Sequence, residues 1–292
     1  MKFVPGSDLV ISAGKSVCSW AEFGRKRWAA AEPFSDPAHL DVSPNGQFVV
    51  VKSTAGKIAV LAVPTLSLVR YLQDAPASEG CQVCFSPCGE FIVDGTWQGD
   101  LRCRAVASGE VHFSESVEHS MVIWLSHNAT RTKFLYVRQP KALGDATPAP
   151  SIVSVRAWPF SSHDEQSVHG DWHHVLASAI SPDAERVAVL HHSGGEANLE
   201  VVSLSSAGLV SRTSFPLGGT NHALSWSPDG RLLACVQHGQ VGFFETATLS
   251  AVATQEDPYP CFVEFSPDGS LVALGSWEQG TVRTLQSLLA SP

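Results

Sequence analysis

The chain lacks any uninterrupted apolar run of about 18 residues, and its N-terminal segment Met1–Val4 contains one lysine and is followed at once by turn residues. These absences argue against a membrane-spanning helix and against a standard secretory signal. Positive charge is also scarce, because 19 lysines and arginines stand against 28 aspartates and glutamates, for a net charge of −9. Since a nucleic-acid backbone demands a basic surface, we expect no nucleic-acid partner. The lack of a long apolar run leads us to expect no membrane association.

Recognisable catalytic and cofactor motifs are missing as well. The sequence contains no nucleophile elbow of the G-x-S-x-G type, no P-loop, no G-x-G-x-x-G fingerprint and no H-E-x-x-H motif. We therefore predict no cofactor, and we favour a binding role over an enzymatic one. The 7 cysteines are an odd number without a regular pairing scheme. This pattern favours free thiols in a reducing compartment, so we expect a cytoplasmic protein.

A four-residue turn recurs along the whole chain, and an apolar run follows each copy. Proline presets the backbone of such a turn, and the Asp, Asn and Gly that follow it suit the remaining positions. Two weaker copies precede Leu9 and Phe134. The copies that begin with Ser-Pro are Ser43–Gly46, Ser86–Gly89, Ser181–Ala184, Ser227–Gly230 and Ser266–Gly269.

The apolar runs after the turns define seven units that recur about every 40 residues, as in a ring or stack of small modules. Each unit reads as four short strands separated by turn residues, and no segment shows a capped helical period. Four antiparallel strands repeated seven times predict an all-β, seven-bladed β-propeller. The first residues of the runs are Leu9, Phe48, Phe91, Phe134, Val187, Leu232 and Leu271.

Two local patterns indicate how the blades pack and how the ring closes. Val49, Val50 and Val51 are apolar on consecutive positions, which fits burial on both faces between neighbouring blades. The segment Met1–Val4 is long enough for one short strand, which either begins blade one or pairs with the last blade. Either arrangement leaves a blade at the junction incompletely four-stranded.

The recurring turns make the chain resemble the WD40-like propellers and the related families with Ser-Pro-Asp-Gly turns. The resemblance extends over almost the full length and implies a single WD40-like domain across residues 1–292. The Trp-Asp pair that usually ends the third strand is missing, and Val201–Leu204 and Gly242–Glu245 occupy the equivalent places. The Gly-His pair before the first strand is also absent, so the side-chain network of those pairs is not expected here.

Alternate loops of a propeller lie on opposite faces, which predicts two surfaces of different character. The face with the Ser-Pro turns collects Arg25, Lys26, Arg27, Arg131, Lys133, Arg186 and Arg231. The face with the blade-joining loops collects carboxylates and aromatic residues, a composition that suits a basic protein partner. The residues predicted to bind a partner there are Trp97, Trp172, Trp277 and Tyr259 as anchors, with Asp100, Asp171, Asp257 and Glu278 as charge partners.

We therefore predict a non-enzymatic protein-binding module, acting as an adaptor or as an inhibitor of the immunity type. The alternative is a propeller enzyme, or a small-ligand or metal binder, with its site in the central channel. His173 and His191 are weak metal candidates, because imidazole is a common ligand but their spacing matches no ligand frame.

Other candidate ligands fit a metal or channel site no better. Cys81, Cys84 and Cys88 do not suit zinc, because residues three apart on a strand point to opposite faces. On the channel side of the first strands, Ser225 and Glu264 belong to no repeated set of histidines or carboxylates.

Overall fold

A computed structural model describes residues 1–14, 16–21, 25–29, 36–73, 81–142, 149–161, 164–216, 222–237, 239–256, 260–276 and 279–290. Within those ranges the strands form seven antiparallel sheets that follow one another along the chain. The first strand of each sheet contacts the first strand of the next, so the first strands surround a common axis. The fold is a seven-bladed β-propeller, which confirms the fold class predicted from the turns.

The strand bounds show how the repeats become blades. Blades one and two contain β1 (Lys2–Phe3), β2 (Val10–Ser12), β3 (Cys18–Ala21), β4 (Arg25–Ala29), β5 (Pro37–Val42), β6 (Phe48–Ser53), β7 (Ile58–Ala62) and β8 (Ser67–Gln73). Blades three and four contain β9 (Val83–Phe85), β10 (Phe91–Gly95), β11 (Asp100–Ala105), β12 (Val111–Ser116), β13 (Ser120–His127), β14 (Lys133–Pro140), β15 (Ile152–Ala157) and β16 (Glu165–His169).

Blades five to seven complete the set. They contain β17 (His174–Ile180), β18 (Arg186–Ser193), β19 (Glu196–Ser203), β20 (Leu209–Pro216), β21 (Ala223–Trp226), β22 (Leu232–Gln237), β23 (Gln240–Glu245), β24 (Ala251–Glu256), β25 (Phe262–Phe265), β26 (Leu271–Gly275) and β27 (Gly280–Thr284). At the other end of the chain, β1 pairs with β2, so the N-terminal strand begins blade one.

The Ser-Pro turns are held by a repeated side-chain network. In blade six, the Ser227 hydroxyl accepts a hydrogen bond from the Leu232 N–H at 2.9 Å and donates to the Asp229 carboxylate at 2.5 Å. Asp229 also accepts from the Arg231 N–H at 3.0 Å. In blade four, the amide oxygen of Asn128 takes the accepting role of the serine. The motif recurs because its side chains satisfy backbone N–H groups that the turn would leave unpaired.

Replacing Ser227 by alanine should lower the free energy of unfolding by about 1–3 kcal/mol, because the Leu232 N–H loses its acceptor. Urea unfolding followed by tryptophan fluorescence measures this loss. Ser114→Ala, on the exposed strand β12, is the matched control and should change stability by less than about 0.5 kcal/mol. Equal effects of the two substitutions would contradict a structural role for the turn hydroxyl.

The apolar core lies between the blades. Among the described residues it divides into six clusters, one at each interface from blades one and two to blades six and seven. Val49 and Val51 pack in the cluster against blade one, and Val50 packs in the cluster against blade three. All three valines are fully buried, which confirms the predicted burial of this strand on both faces.

The seventh interface, between blades seven and one, is built differently. At its inner end, the Lys2 ammonium donates a hydrogen bond to the Glu264 carboxylate at 2.7 Å. Beyond this contact the two blades enclose a cavity of about 1440 Å³, which we call the junction cavity. Blade seven has three strands within the described residues, which confirms the prediction of an incomplete blade at the junction.

A short helix, α1 (Leu285–Leu289), follows β27, where each of the other blades has a fourth strand. The Thr284 hydroxyl caps it by accepting from the Ser287 N–H at 3.2 Å. The sequence predicted no helix, because one turn is too short to display a period. In the part of the chain that the structure describes, no helix combines the length and apolar character needed to cross a membrane.

Candidate functional site

Two loops of blade three expose apolar side chains on the face with the blade-joining loops. Trp97, between β10 and β11, is 42% exposed, and Val117, directly after β12, is 40% exposed. The Val117 N–H donates to the Gly99 carbonyl at 3.3 Å and so joins the two loops. We call Trp97, Asp100, Val117 and Glu118 the blade-three patch.

Contacts of Gly99, Ser120 and Arg138 hold the two loops of the blade-three patch in place. Gly99 has φ +97°, and a Cβ there would lie 2.3 Å from the Val117 carbonyl oxygen, so only glycine allows the loops to approach this closely. The Ser120 hydroxyl donates to the same carbonyl at 2.8 Å. Underneath, the buried Arg138 donates to the Gly99 carbonyl at 2.7 Å and to Glu115 at 2.6 Å. The patch is therefore a preorganised surface.

The blade-three patch contains two carboxylates, and the exposed Lys141 lies beside it, since its backbone N–H donates to the His119 carbonyl at 2.8 Å. Asp100 is half-buried, and its carboxylate accepts a hydrogen bond from the Thr96 hydroxyl at 3.1 Å, whereas Glu118 is exposed. Lys57 and Lys141 are exposed cations on this face. Further exposed carboxylates on the same face belong to Asp36, Asp171, Glu196 and Glu256.

Among the described residues, the opposite face is only partly basic, since Arg231 is exposed and Lys133 is half-buried. Arg131 is mostly buried in the channel, and Arg186 lies 5.1 Å from the centre of the Trp226 ring and 3.6 Å from Asp183. The side chains of Arg25, Lys26 and Arg27 lie outside the described part. Exposed carboxylates among the described residues of this face belong to Asp8, Glu90, Glu110, Asp164, Asp183, Glu185, Asp229, Glu245 and Asp268. Negative charge alone therefore does not distinguish the two faces.

Trp172, predicted as a surface anchor, is a core residue. It is 2% exposed, and its indole N–H donates to the Glu200 carboxylate at 2.8 Å. Its ring packs with Val168 and Val175 in the cluster between blades four and five. Gly170 leaves the room for it, because a Cβ there would lie 2.3 Å from the indole ring. A buried indole cannot serve as an anchor, so we leave Trp172 out of the binding surface.

The remaining predicted partner residues are only partly covered by the structure. Asp171 is exposed, and its carboxylate lies 2.9 Å from Nε2 of His173. Trp277, Tyr259, Asp257 and Glu278 lie outside the described residues.

The two weak metal candidates contact different carboxylates. His173 contacts Asp171, whereas the buried His191 has its Nε2 atom 3.4 Å from the Glu200 carboxylate. The neighbouring His191 imidazole is the main cause of the lowered pKa of Glu200, and burial opposes it. In the described part of the chain, neither histidine belongs to a group of three or more potential metal ligands.

A group of polar side chains in the central channel was missed by sequence reasoning. The residues two positions before the start of each turn are Lys2, Asp41, Cys84, Ser126, Ala179, Ser225 and Glu264. At two of these positions the side chain accepts a backbone N–H from the next blade. Phe85 donates to Asp41 at 2.8 Å, and Phe265 donates to Ser225 at 3.3 Å. Aligning the units on their turns, rather than examining single blades, would have placed these residues at one level of the channel.

Asp41 is the centre of this channel group. It is 2% exposed, and the Arg131 guanidinium from blade four binds both of its carboxylate oxygens. Arg131 also donates to the Val42 carbonyl at 2.7 Å and to the Phe85 carbonyl at 3.3 Å, so it joins blades two, three and four. Although burial alone would raise the pKa of Asp41, Arg131 and His127 hold it far below its usual range.

Asp41, Cys84 and His127 have the residue types of a metal site. Their potential ligand atoms all lie within 4.8 Å of one another. Burial lowers the pKa of His127, which suits a ligand, but it raises the pKa of the Cys84 thiol well above its ordinary value. Because Arg131 and the Phe85 N–H already occupy the Asp41 oxygens, the arginine supplies the positive charge here. The arrangement is best described as a tie between blades.

Comparison with models of known protein families gives no match, and no curated protein matches the chain significantly. The functional argument therefore depends on the blade-three patch, the channel group and the junction.

Proposed function

We propose that this protein is a non-enzymatic binding module of the WD40-like type that recognises a basic protein through the blade-three patch. The observation that carries the proposal is the 42% exposure of Trp97 on loops that hydrogen bonds hold in place. Tryptophan is enriched among the residues that dominate binding energy at protein interfaces. A preorganised surface also loses less conformational entropy on association.

The charges around Trp97 favour a partner that presents lysine or arginine. Asp100 and Glu118 belong to the same two loops as the two apolar side chains of the patch. A cation from the partner could therefore pair with a carboxylate and also approach the face of the indole ring. The other exposed carboxylates on this face would increase the association rate with a basic protein.

Binding is itself the activity that we propose. The described residues belong to the propeller blades, their connections and one short helix, so the module would act through the protein that it binds. This is consistent with an adaptor or with an inhibitor that covers another protein. The inhibitor version depends on analogy at the level of the fold.

Replacing Trp97 by alanine and Val117 by serine together should reduce capture of partner proteins at least tenfold, because the patch loses its apolar contacts. The measurement is quantitative mass spectrometry of proteins retained from a native lysate by the immobilised variant and by the wild type. If the double variant retained every protein that the wild type retains, and in the same amounts, the proposal would be contradicted.

The matched control for that experiment is Val252→Ser on β24, since Val252 is 48% exposed and lies far from the patch in sequence. It should retain the same proteins as the wild type. Both variants should also keep the wild-type melting temperature, because each alters exposed side chains.

A further inference from the structure

The third strand of blade seven has an edge that the other blades cover. In each of blades one to six, the third strand pairs with a fourth strand, whereas β27 pairs with β26 alone among the described residues. Four of the five residues of β27 are exposed, whereas four of the five residues of β7 and four of the six residues of β23 are buried. Such an edge presents unpaired backbone N–H and C=O groups to any extended segment.

The junction cavity adjoins this edge and has apolar walls. Phe3 and Trp20 line it from blade one, and Phe262, Leu271 and Val282 line it from blade seven. At each of the six other interfaces, the equivalent space contains a packed apolar cluster. An open strand edge therefore lies next to a space that apolar side chains fill elsewhere in the ring.

The described segments at the two ends of the chain do not cover this edge. The N-terminal strand β1 pairs with β2 inside blade one. Helix α1 packs against β24 of blade six, where Leu288 is fully buried and its carbonyl accepts from Gln255 at 2.8 Å. The helix thus carries the chain from β27 towards blade six.

We infer that an extended segment of a partner protein completes blade seven by pairing antiparallel with β27. The pairing is antiparallel because third and fourth strands pair in this way in blades one to six. Addition of a strand to an exposed sheet edge is a common mode of peptide recognition, in which backbone bonds give affinity and alternate side chains give specificity. The alternate side chains that face the junction cavity would be apolar, and those between them polar.

The charges at the cavity mouth set the polarity of the segment. The Leu285 N–H donates to the Ser270 carbonyl at 2.9 Å, so β27 ends on the face with the Ser-Pro turns. An antiparallel partner strand therefore begins on that face. Asp8 and Asp268 are exposed there and line the same cavity, whereas Arg283, which also lines it, donates to Gln255 of blade six at 3.1 Å. We expect a lysine or arginine at the N-terminal end of the partner segment.

Six fluorescent peptides that copy the fourth strands β4, β8, β12, β16, β20 and β24, each with an added N-terminal lysine, are the probes for this site. We expect at least one to bind the full chain saturably in fluorescence anisotropy. In hydrogen exchange, the bound peptide should protect the amides of Gly280–Thr284. Absence of binding by all six peptides at millimolar concentration, or protection confined to other strands, would overturn the inference.

Val282→Asp places a charge in the cavity wall and should weaken peptide binding at least tenfold, whereas Val252→Asp on β24 should leave it unchanged. Val282 is half-buried and lines the cavity, so circular dichroism should first show that the variant keeps the wild-type spectrum. Equal binding to both variants would contradict the assigned site.

Two further results separate this site from other possibilities. The Trp97→Ala, Val117→Ser variant should bind the peptides normally, so failure of the blade-three patch and failure of this site are distinguishable. Dimers of the wild type that Val282→Asp abolishes, seen by light scattering, would assign the edge to a second copy of this chain and overturn the assignment to a partner protein.

Discussion

Replacing Arg131 by glycine should destabilise the protein by about 3–5 kcal/mol, because the substitution leaves the buried Asp41 carboxylate without its cation. Glycine is the residue that Ser-Pro turns carry at this position, as at Gly230 and Gly269, and Arg131 itself has a left-handed φ of 56°. Turn chemistry alone would therefore predict that the substitution stabilises the turn. The two effects have opposite signs, so urea unfolding discriminates between them.

The matched control for Arg131→Gly is Ala184→Gly, since Ala184 occupies the equivalent turn position with φ 59°. This control should be neutral or slightly stabilising. Adding Asp41→Asn to Arg131→Gly should recover part of the lost stability, because it removes the uncompensated charge. If Arg131→Gly is as stable as the wild type, the tie between blades two, three and four is not energetically important.

Asp41 also predicts how stability depends on pH. Its pKa in the folded protein lies far below the value of about 3.9 expected for the unfolded chain. The unfolded state therefore takes up a proton first as the pH falls, so the contribution of Asp41 is present above about pH 4 and declines below it. The unfolding free energy of Asp41→Asn should decrease less steeply than that of the wild type between about pH 5 and pH 3.

Replacing Asp94 by asparagine should be equally damaging, with an expected loss of about 3–5 kcal/mol. Asp94 is fully buried between blades two and three, where Arg102 donates to it at 2.7 Å. Lys52, 1% exposed, lies 3.8 Å from the same carboxylate, and Arg104 lies 3.8 Å from its second oxygen. The substitution keeps the size of the side chain but leaves buried cations without an anion.

Adding Lys52→Met to Asp94→Asn tests that explanation. Methionine removes the most deeply buried of these cations and keeps an apolar chain of similar length, so the double variant should be more stable than Asp94→Asn alone. Chemical denaturation of the two single variants, the double variant and the wild type gives the coupling energy. A double variant that is less stable than both single variants would show that packing, rather than charge, controls this interface.

Local chemistry explains how much of the fold could be predicted from the sequence. The turns depend on residues within five positions of one another, as Ser227 and Leu232 show, so the repeat and the number of blades were readable. The burial of Val49 to Val51 followed from three consecutive apolar residues.

Contacts between distant parts of the chain explain what the sequence did not reveal. Asp41 and Arg131 are 90 residues apart, and neither has a local partner that marks it as buried. Trp172 resembles a loop tryptophan until Gly170 and Glu200 show that its ring is enclosed. Trp97 and Val117 lie 20 positions apart, and the bond at Gly99 that brings their loops together depends on the register of blade three.

The junction cavity between blades seven and one affects how the propeller unfolds under heat or applied force. Among the described residues, six interfaces contain a packed apolar cluster and the seventh does not, so in energetic terms the blades resemble a row with two ends. Blades one and seven each have a single well-packed neighbour, whereas every other blade has two. As in linear repeat arrays, unfolding should therefore start at blades seven and one and proceed to the inner blades. A strand bound at the junction cavity would give blades seven and one a second packed neighbour, so that the ring would no longer have two weak ends.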